Sequence, residues 1–215
     1  MASIKIHRGS HQIGGSIAEI YTENTHVFID FGAELTTDPE KSTDAEMIDM
    51  IRHARCDAVL FTHYHGDHVG LIRHVPKRDV EGHPIKLGLG KAARMVLENI
   101  HGSLADLPHA SAEEKKMHEE YLELLRDRDR ILDIEGGVPI FLGEARDVKV
   151  TPVMVYLHTG GHATADDIAE LILTVRPKEV ILPIHTEHPE KFRELEIGEY
   201  KDLIDELNDS CVVDL

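Results

Sequence analysis

The chain has 215 residues and 41% of them are hydrophobic, which fits one globular domain spanning residues 1–215 and excludes wholesale disorder. The net charge of −17 counts against an extended nucleic-acid-binding surface, because an acidic surface repels phosphates unless bound cations or basic patches intervene. No apolar run reaches the length of a membrane span, and the N-terminus carries no secretory pattern. The two cysteines give no disulfide framework, so we expect a cytoplasmic protein that does not associate with membranes.

The first half of the chain predicts alternating strands and helices. Apolar or alternating runs between turn signals predict strands at about residues 3–8, 16–22, 26–31, 57–62 and 85–89. Apolar residues at helical spacing predict helices at about residues 44–54, 68–74 and 91–100. Strands that alternate with helices in this way indicate a layered α/β fold.

Residues 111–132 predict one longer helix, a helical excursion from the domain, which begins with a capping box formed by Ser111 and Glu114. One face of this helix is apolar and carries Met117, Tyr121, Leu124 or Leu125, and Ile131. Such a stripe most often packs on the protein's own core, but a dimer interface or a cover over an active site gives the same pattern.

The remaining elements are shorter. The sequence predicts two strands near residues 138–142 and 147–156, a helix at 164–175, a strand at 180–184 and a short helix at 189–195. The end of the chain, residues 211–215, resembles the beginning of a final strand. An incomplete sheet would leave an edge that a partner could cover, so a homodimer is expected.

Residues 63–68 are the most informative segment, because three imidazoles and a carboxylate follow directly after the apolar run 58–61. Side chains alternate along an extended segment, so His63 and His65 project to the same side. Asp67 and His68 begin the next helix and face a second point. Imidazole and carboxylate groups suit zinc and similar transition ions. Because the two pairs of side chains are directed at two different positions, the segment indicates two ions. The alternative is a solvated histidine-rich turn.

The segment 63–68 resembles the H-x-H-x-D-H signature of the metallo-β-lactamase superfamily. Four further segments are similar to the ribonuclease J and β-CASP branch of that superfamily: residues 13–20, residues 28–32, Gly161-His162-Ala163 and residues 183–187. The resemblance covers most of residues 1–100 and roughly residues 148–190. It implies a metallo-β-lactamase-like αββα sandwich with a shortened C-terminal half.

The resemblance also implies a set of metal ligands. His63 and His65 would hold the first ion, and Asp67, His68 and His185 would hold the second. A lone histidine after the strand 180–184 could equally be a core residue, but its match to the last metal-binding motif favours a ligand.

The first site departs from the family pattern, because no segment supplies the bridging aspartate and the insertion typical of the branch is absent. His158 lies within one residue of the expected third ligand, and it also matches the histidine that precedes the S-G-H-A segment, so both interpretations stay open. His162 matches a residue that contacts the scissile phosphate or assists catalysis. The other ten histidines lack ligand spacing and are predicted to lie at the surface, among them His7, His53, His101 and His118.

We therefore expect a metal-dependent hydrolase of phosphodiester bonds that uses one or two zinc ions, with manganese or iron as alternatives. Asp67 would bind metal and orient the nucleophile, and His162 or His158 would donate a proton to the leaving oxygen. The missing insertion favours a small or short phosphodiester substrate, with RNA as one option. The competing hypothesis is a catalytically impaired metal-binding scaffold that acts as a binding or oligomeric module, with residues 111–132 as its candidate dimer interface.

Overall fold

The computed structural model describes residues 2–36, 38–134, 147–150, 155–158 and 163–215. The strands in these residues are β1 (Ser3–Arg8), β2 (Ile17–Tyr21), β3 (His26–Ile29), β4 (Ala58–Phe61), β5 (Lys86–Gly90), β6 (Ile131–Ile134), β7 (Asp147–Val150), β8 (Val155–His158) and β9 (Val212–Asp214). The α-helices are α1 (Asp44–His53), α2 (Gly66–Val69), α3 (Lys91–Ala105), α4 (Ala112–Arg126) and α5 (Ala165–Val175). Short 3-10 helices form at Pro39–Lys41, Ile72–His74, Pro189–Glu194 and Gly198–Leu203.

A seven-stranded sheet organises the fold, in the strand order β6-β5-β4-β3-β2-β1-β9. The strands β3 to β6 run parallel to one another, whereas β2, β1 and β9 pair in antiparallel fashion. The strands β7 and β8 form a separate antiparallel pair in which Asp147 lies opposite His158. The parallel arrangement brings the carboxyl ends of β3 and β4 to the same edge of the sheet.

The main core lies between one face of this sheet and the helices. Phe28, Val59 and Leu87 project from β3, β4 and β5 and are fully buried. They belong to the same apolar cluster as Ile51 of α1 and Leu125 of α4. Burial of each such side chain stabilises the fold by about 1.5–3 kcal/mol. The sheet with a helical layer on one face confirms the predicted α/β class.

The predicted helix at 111–132 is too long. The helix α4 ends at Arg126, the backbone of Asp127 is extended, and Ile131 lies in β6, paired with Leu87 of β5. The apolar face of α4 packs on the protein's own core, as expected for most such faces, because Leu125 is fully buried and Tyr121 packs against the main apolar cluster.

Three other predicted elements differ from the structure. The helix at 68–74 divides into α2 and a 3-10 helix, because the Leu71 N–H donates to the carbonyl of Phe31 instead of continuing the helix. The strand at 180–184 is reduced to one bridge between Ile181 and Ile204. The strand at 147–156 is two strands, β7 and β8, and the strand near 138–142 lies outside the described residues.

Among the described residues, no helix is both long and apolar enough to cross a bilayer.

The prediction that His7 lies at the surface is wrong, because the structure buries it with Glu19. His7 Nε2 lies 2.8 Å from Glu19 Oε2, and His26 Nδ1 lies 2.7 Å from Glu19 Oε1. Burial alone would raise the pKa of the Glu19 carboxyl, but hydrogen bonds with the two histidines outweigh it and hold the pKa below the ordinary 4.5. The carboxylate thus ties β1, β2 and β3 together.

Replacing Glu19 by glutamine is expected to lower the free energy of unfolding at pH 7 by about 1–3 kcal/mol, because two hydrogen bonds lose their charged acceptor. The folded-state pKa of Glu19 lies below its ordinary value, so its contribution is present above about pH 4.5 and is lost as the pH falls through the folded-state pKa. Urea unfolding at pH 7 and pH 3.5 measures both effects. The exposed Glu23→Gln is the matched control, and equal losses in the two variants would contradict the assignment.

Candidate metal centre

The segment that follows β4 is held in place by its backbone. The carbonyls of residues 66–68 accept hydrogen bonds from the N–H groups of Ala33, Ser16 and Phe31, at 2.9, 3.0 and 2.9 Å in that order. Every carbonyl of these three residues therefore has a partner outside α2. This docking fixes the direction in which the α2 side chains project.

Close approach at this contact requires glycine. A Cβ atom on Gly32 would overlap the carbonyl oxygen of Asp67, so a larger residue would push α2 away from the sheet. The Gly32 N–H also donates to the carbonyl of Ser16 at 3.2 Å. The glycine thus lets two backbone segments meet directly beside the candidate ligands.

Asp67, His68 and His185 come together although they lie far apart in sequence. Their ligand atoms are all within 4.8 Å of one another. Asp67 Oδ2 lies 3.6 Å from His68 Nε2 and 3.5 Å from His185 Nε2. His185 reaches this position with a left-handed backbone, φ 59°, and its N–H donates to the carbonyl of Gly9 at 2.6 Å. Two imidazoles and one carboxylate are the number and kind of protein ligands found in many catalytic zinc sites.

His63 and His65 form a separate pair beside this group. His63 Nε2 lies 3.1 Å from His65 Nδ1, and two nitrogens on one tetrahedral zinc lie roughly 3.3 Å apart. The His63 and His68 rings are 4.0 Å apart between centroids, so the pair adjoins the three-residue group. Within the described part of the chain, His63 and His65 join no group of three ligand atoms.

The His63 ring is suited to metal binding by its protonation state. Burial lowers its pKa, the neighbouring charges of His68 and His65 lower it further, and the result is a pKa of about 4. The ring is therefore neutral at pH 7, the form in which imidazole binds metals.

The remaining predicted site residues are not placed in the centre. His158 is the last residue of β8, and only its backbone position is described. His162 lies outside the described residues. Their predicted roles as third ligand and proton donor stay predictions.

Asp30 is a site residue that sequence reasoning missed. Its carboxylate Oδ2 accepts a hydrogen bond from His68 Nδ1 at 2.7 Å, which leaves His68 Nε2 directed at Asp67. Thr62 holds the same carboxylate through its N–H at 2.8 Å and through its hydroxyl. Asp30 is buried and has φ 61°, an unusual backbone conformation for a residue other than glycine. The available signal was an acid at the end of a buried strand, next to the strand that leads into the motif.

A second cluster of potential ligands has a structural explanation. Asp79, Glu81 and His83 also have ligand atoms within 4.8 Å of one another. The Asp79 carboxylate accepts hydrogen bonds from the N–H groups of Glu81 and His83 at 3.0 and 2.7 Å, so it closes a turn. This cluster is therefore not a metal-site candidate.

Comparisons with known proteins show what this chain resembles. Residues 147–204 match the RMMBL family, a Zn-dependent metallo-hydrolase RNA specificity domain. Transcription termination factor FttA of Pyrococcus horikoshii is 25% identical over 169 residues, covering 76% of this chain and 24% of that protein. FttA of Thermococcus kodakarensis is 24% identical over 169 residues, which again cover 76% of this chain and 24% of that protein. The chain spans about a quarter of the length of the curated relatives it matches.

Two solved structures align with nearly the whole chain. A diphosphatase from the PhnP family has a TM-score of 0.49 and 12% identity, covering 99% of this chain and 96% of that one. The metallo-beta-lactamase fold protein YhfI from Bacillus subtilis has a TM-score of 0.49 and 10% identity, covering 99% and 98%.

Replacing Asp30 by asparagine is expected to weaken zinc binding about 10- to 100-fold, because His68 loses the negative partner that orients its ring. Competition with a chromophoric chelator measures the dissociation constant. Asp49→Asn, on the exposed face of α1, is the matched control. Equal affinity in the two variants would show that Asp30 does not support the ligand.

Proposed function

Because the chain belongs to the metallo-β-lactamase superfamily, in its β-CASP-like branch, we propose that it is a metal-dependent hydrolase that cleaves phosphodiester bonds. The observation that carries this proposal is the convergence of Asp67, His68 and His185. The ligands come from two distant parts of the sequence, and their donor atoms match what a hydrolytic metal site needs. The metallo-hydrolase family match supports a metal cofactor.

The proposed ligands fall into two sets. His63 and His65 would begin the site of the first ion, with His158 as its proposed third ligand. Asp67, His68 and His185 would hold the second ion. Zinc is the proposed metal, because imidazole nitrogen and carboxylate oxygen are its common ligands, and manganese and iron are the alternatives.

A bound zinc ion would lower the pKa of its water to about 7 and thus make hydroxide available at neutral pH. The chain's own groups then have separate tasks. Asp67 orients the nucleophile, since its carboxylate faces the His68 and His185 rings. Asp30 keeps the proton on His68 Nδ1. His162 is the proposed proton donor to the leaving oxygen, with His158 as the alternative.

The proposed substrate is a short stretch of RNA or another small phosphodiester. The matched family is described by its RNA specificity, and the curated relatives are transcription termination factors. The net charge of −17 favours contact with few phosphates, because a long polyanion would be repelled outside the metal site. The two cysteines are free, which suits the proposed cytoplasmic location.

One observation favours a second candidate function. In the described residues no third ligand joins His63 and His65, and a site with two ligands would hold its ion weakly. The second candidate is therefore a metal-binding module without hydrolase activity that forms a homodimer. Metal binding in the absence of phosphodiester hydrolysis would favour this candidate.

Replacing His185 by alanine is expected to remove one metal ion per chain and to lower hydrolysis of bis(p-nitrophenyl) phosphate by at least about 100-fold, because the three-residue group loses one ligand. Plasma mass spectrometry on protein purified without chelator or added metal measures the metal content. A chelator should abolish wild-type activity, and added zinc should restore it.

His188→Ala is the matched control, since His188 is exposed and lies three residues from His185. This variant should keep the wild-type metal content and activity. Unchanged metal content in His185→Ala would contradict the ligand assignment.

A further inference from the structure

We propose that the hairpin formed by α3 and α4 positions the ligand-bearing helix α2 through the side chain of Tyr121. This inference rests on the proposed metal binding by Asp67 and His68, which lie in α2. It adds a positioning residue from a part of the chain that contributes no ligand.

A directed hydrogen bond joins α4 to the residue that follows α2. The Tyr121 hydroxyl donates to the carbonyl of Gly70 at 2.8 Å. Gly70 follows α2 directly, and its own N–H donates to the carbonyl of Gly66 at 2.7 Å. Tyr121 therefore holds the residue after α2, while the carbonyls of residues 66–68 are held by backbone N–H groups beside the sheet.

Two neighbours fix the Tyr121 ring. The His101 ring stacks on it at 4.0 Å between centroids with an interplanar angle of 9°. The Arg73 guanidinium lies over the ring, 5.0 Å from its centroid, and also pairs with Glu120 of α4 at 2.8 Å. Arg73 belongs to the 3-10 helix that follows Gly70. The helix α4 therefore contacts the chain just beyond α2 at two residues, Gly70 and Arg73.

The His101 ring is held in turn by α4. His101 Nδ1 lies 2.9 Å from His118 Nδ1, so one ring donates a proton and the other accepts it. His118 is buried, contrary to the prediction that it lies at the surface. Burial, followed by the charges of His118 and Arg73, lowers the pKa of His101 to about 4, so this ring is neutral at pH 7. The hydrogen bond between the two rings holds His101 in its stack on Tyr121.

The placement of Tyr121 also explains why a hydroxyl is found there. The apolar stripe of α4 packs on the core, and Leu125, one turn further along, is fully buried. A phenylalanine would fill the same space as Tyr121 but could not reach the Gly70 carbonyl with a donor. The hydroxyl thus helps to hold α2 in place and adds little to the packing of α4.

Tyr121→Phe tests the proposal with two readouts. In metal-free protein, the amides of Gly70 and Leu71 should exchange with deuterium about 3- to 10-fold faster, while that of Val59 in β4 stays unchanged. The zinc dissociation constant should rise by about the same factor, because α2 becomes less ordered before it binds. His101→Ala, which removes the stacked ring, should act in the same direction.

Tyr21→Phe is the matched control, since Tyr21 lies in β2 at the hairpin turn, at the other end of the strands from Asp30. If Tyr121→Phe matches this control in both exchange and zinc affinity, the proposal is overturned. Faster exchange throughout the chain would also overturn it, because the hydroxyl would then serve global stability. If exchange accelerates locally in Tyr121→Phe but the wild-type chain binds no zinc, the contact with the end of α2 stands and the proposed metal function fails.

Discussion

The candidate site depends on the docking of residues 66–68 against the chain between Ser16 and Ala33. Three successive carbonyls accept hydrogen bonds from backbone N–H groups there, so this turn cannot rotate without losing all of them at once. Gly32 permits the approach, because any side chain at this position would collide with the backbone of Asp67. A histidine-rich turn in solvent would have no such fixed orientation. The backbone therefore determines where the ligand side chains point.

The other parts of the centre build on this contact. The parallel pairing of β3 and β4 puts Asp30 beside His68, and the 2.7 Å hydrogen bond between them selects the His68 nitrogen that faces Asp67. His185 arrives from the far end of the chain, where a left-handed backbone and a hydrogen bond to Gly9 hold it. On the opposite side, Tyr121 holds the end of α2. Backbone and side-chain hydrogen bonds thus bring together groups from four separate segments.

The sequence predicts the strands β1 to β5 well, because each is an apolar or alternating run between turn signals and each carries buried residues. It overextends the helix at 111–132, since Ile131 fits a helical stripe as well as a strand. The ligand motif is visible because its residues are adjacent, and the resemblance supplies His185. Asp30 and His7 are different cases, because their roles depend on partners in neighbouring strands that periodicity does not reveal.

Binding of one metal ion by Asp67, His68 and His185 can be tested by X-ray absorption at the zinc K-edge of the purified protein, because the spectrum reports the ligand atoms themselves. We expect only nitrogen and oxygen ligands at about 2.0–2.2 Å, with the multiple-scattering pattern of imidazole. A sulfur ligand at about 2.3 Å, from Cys56 or Cys211, or an absence of imidazole scattering, would contradict it.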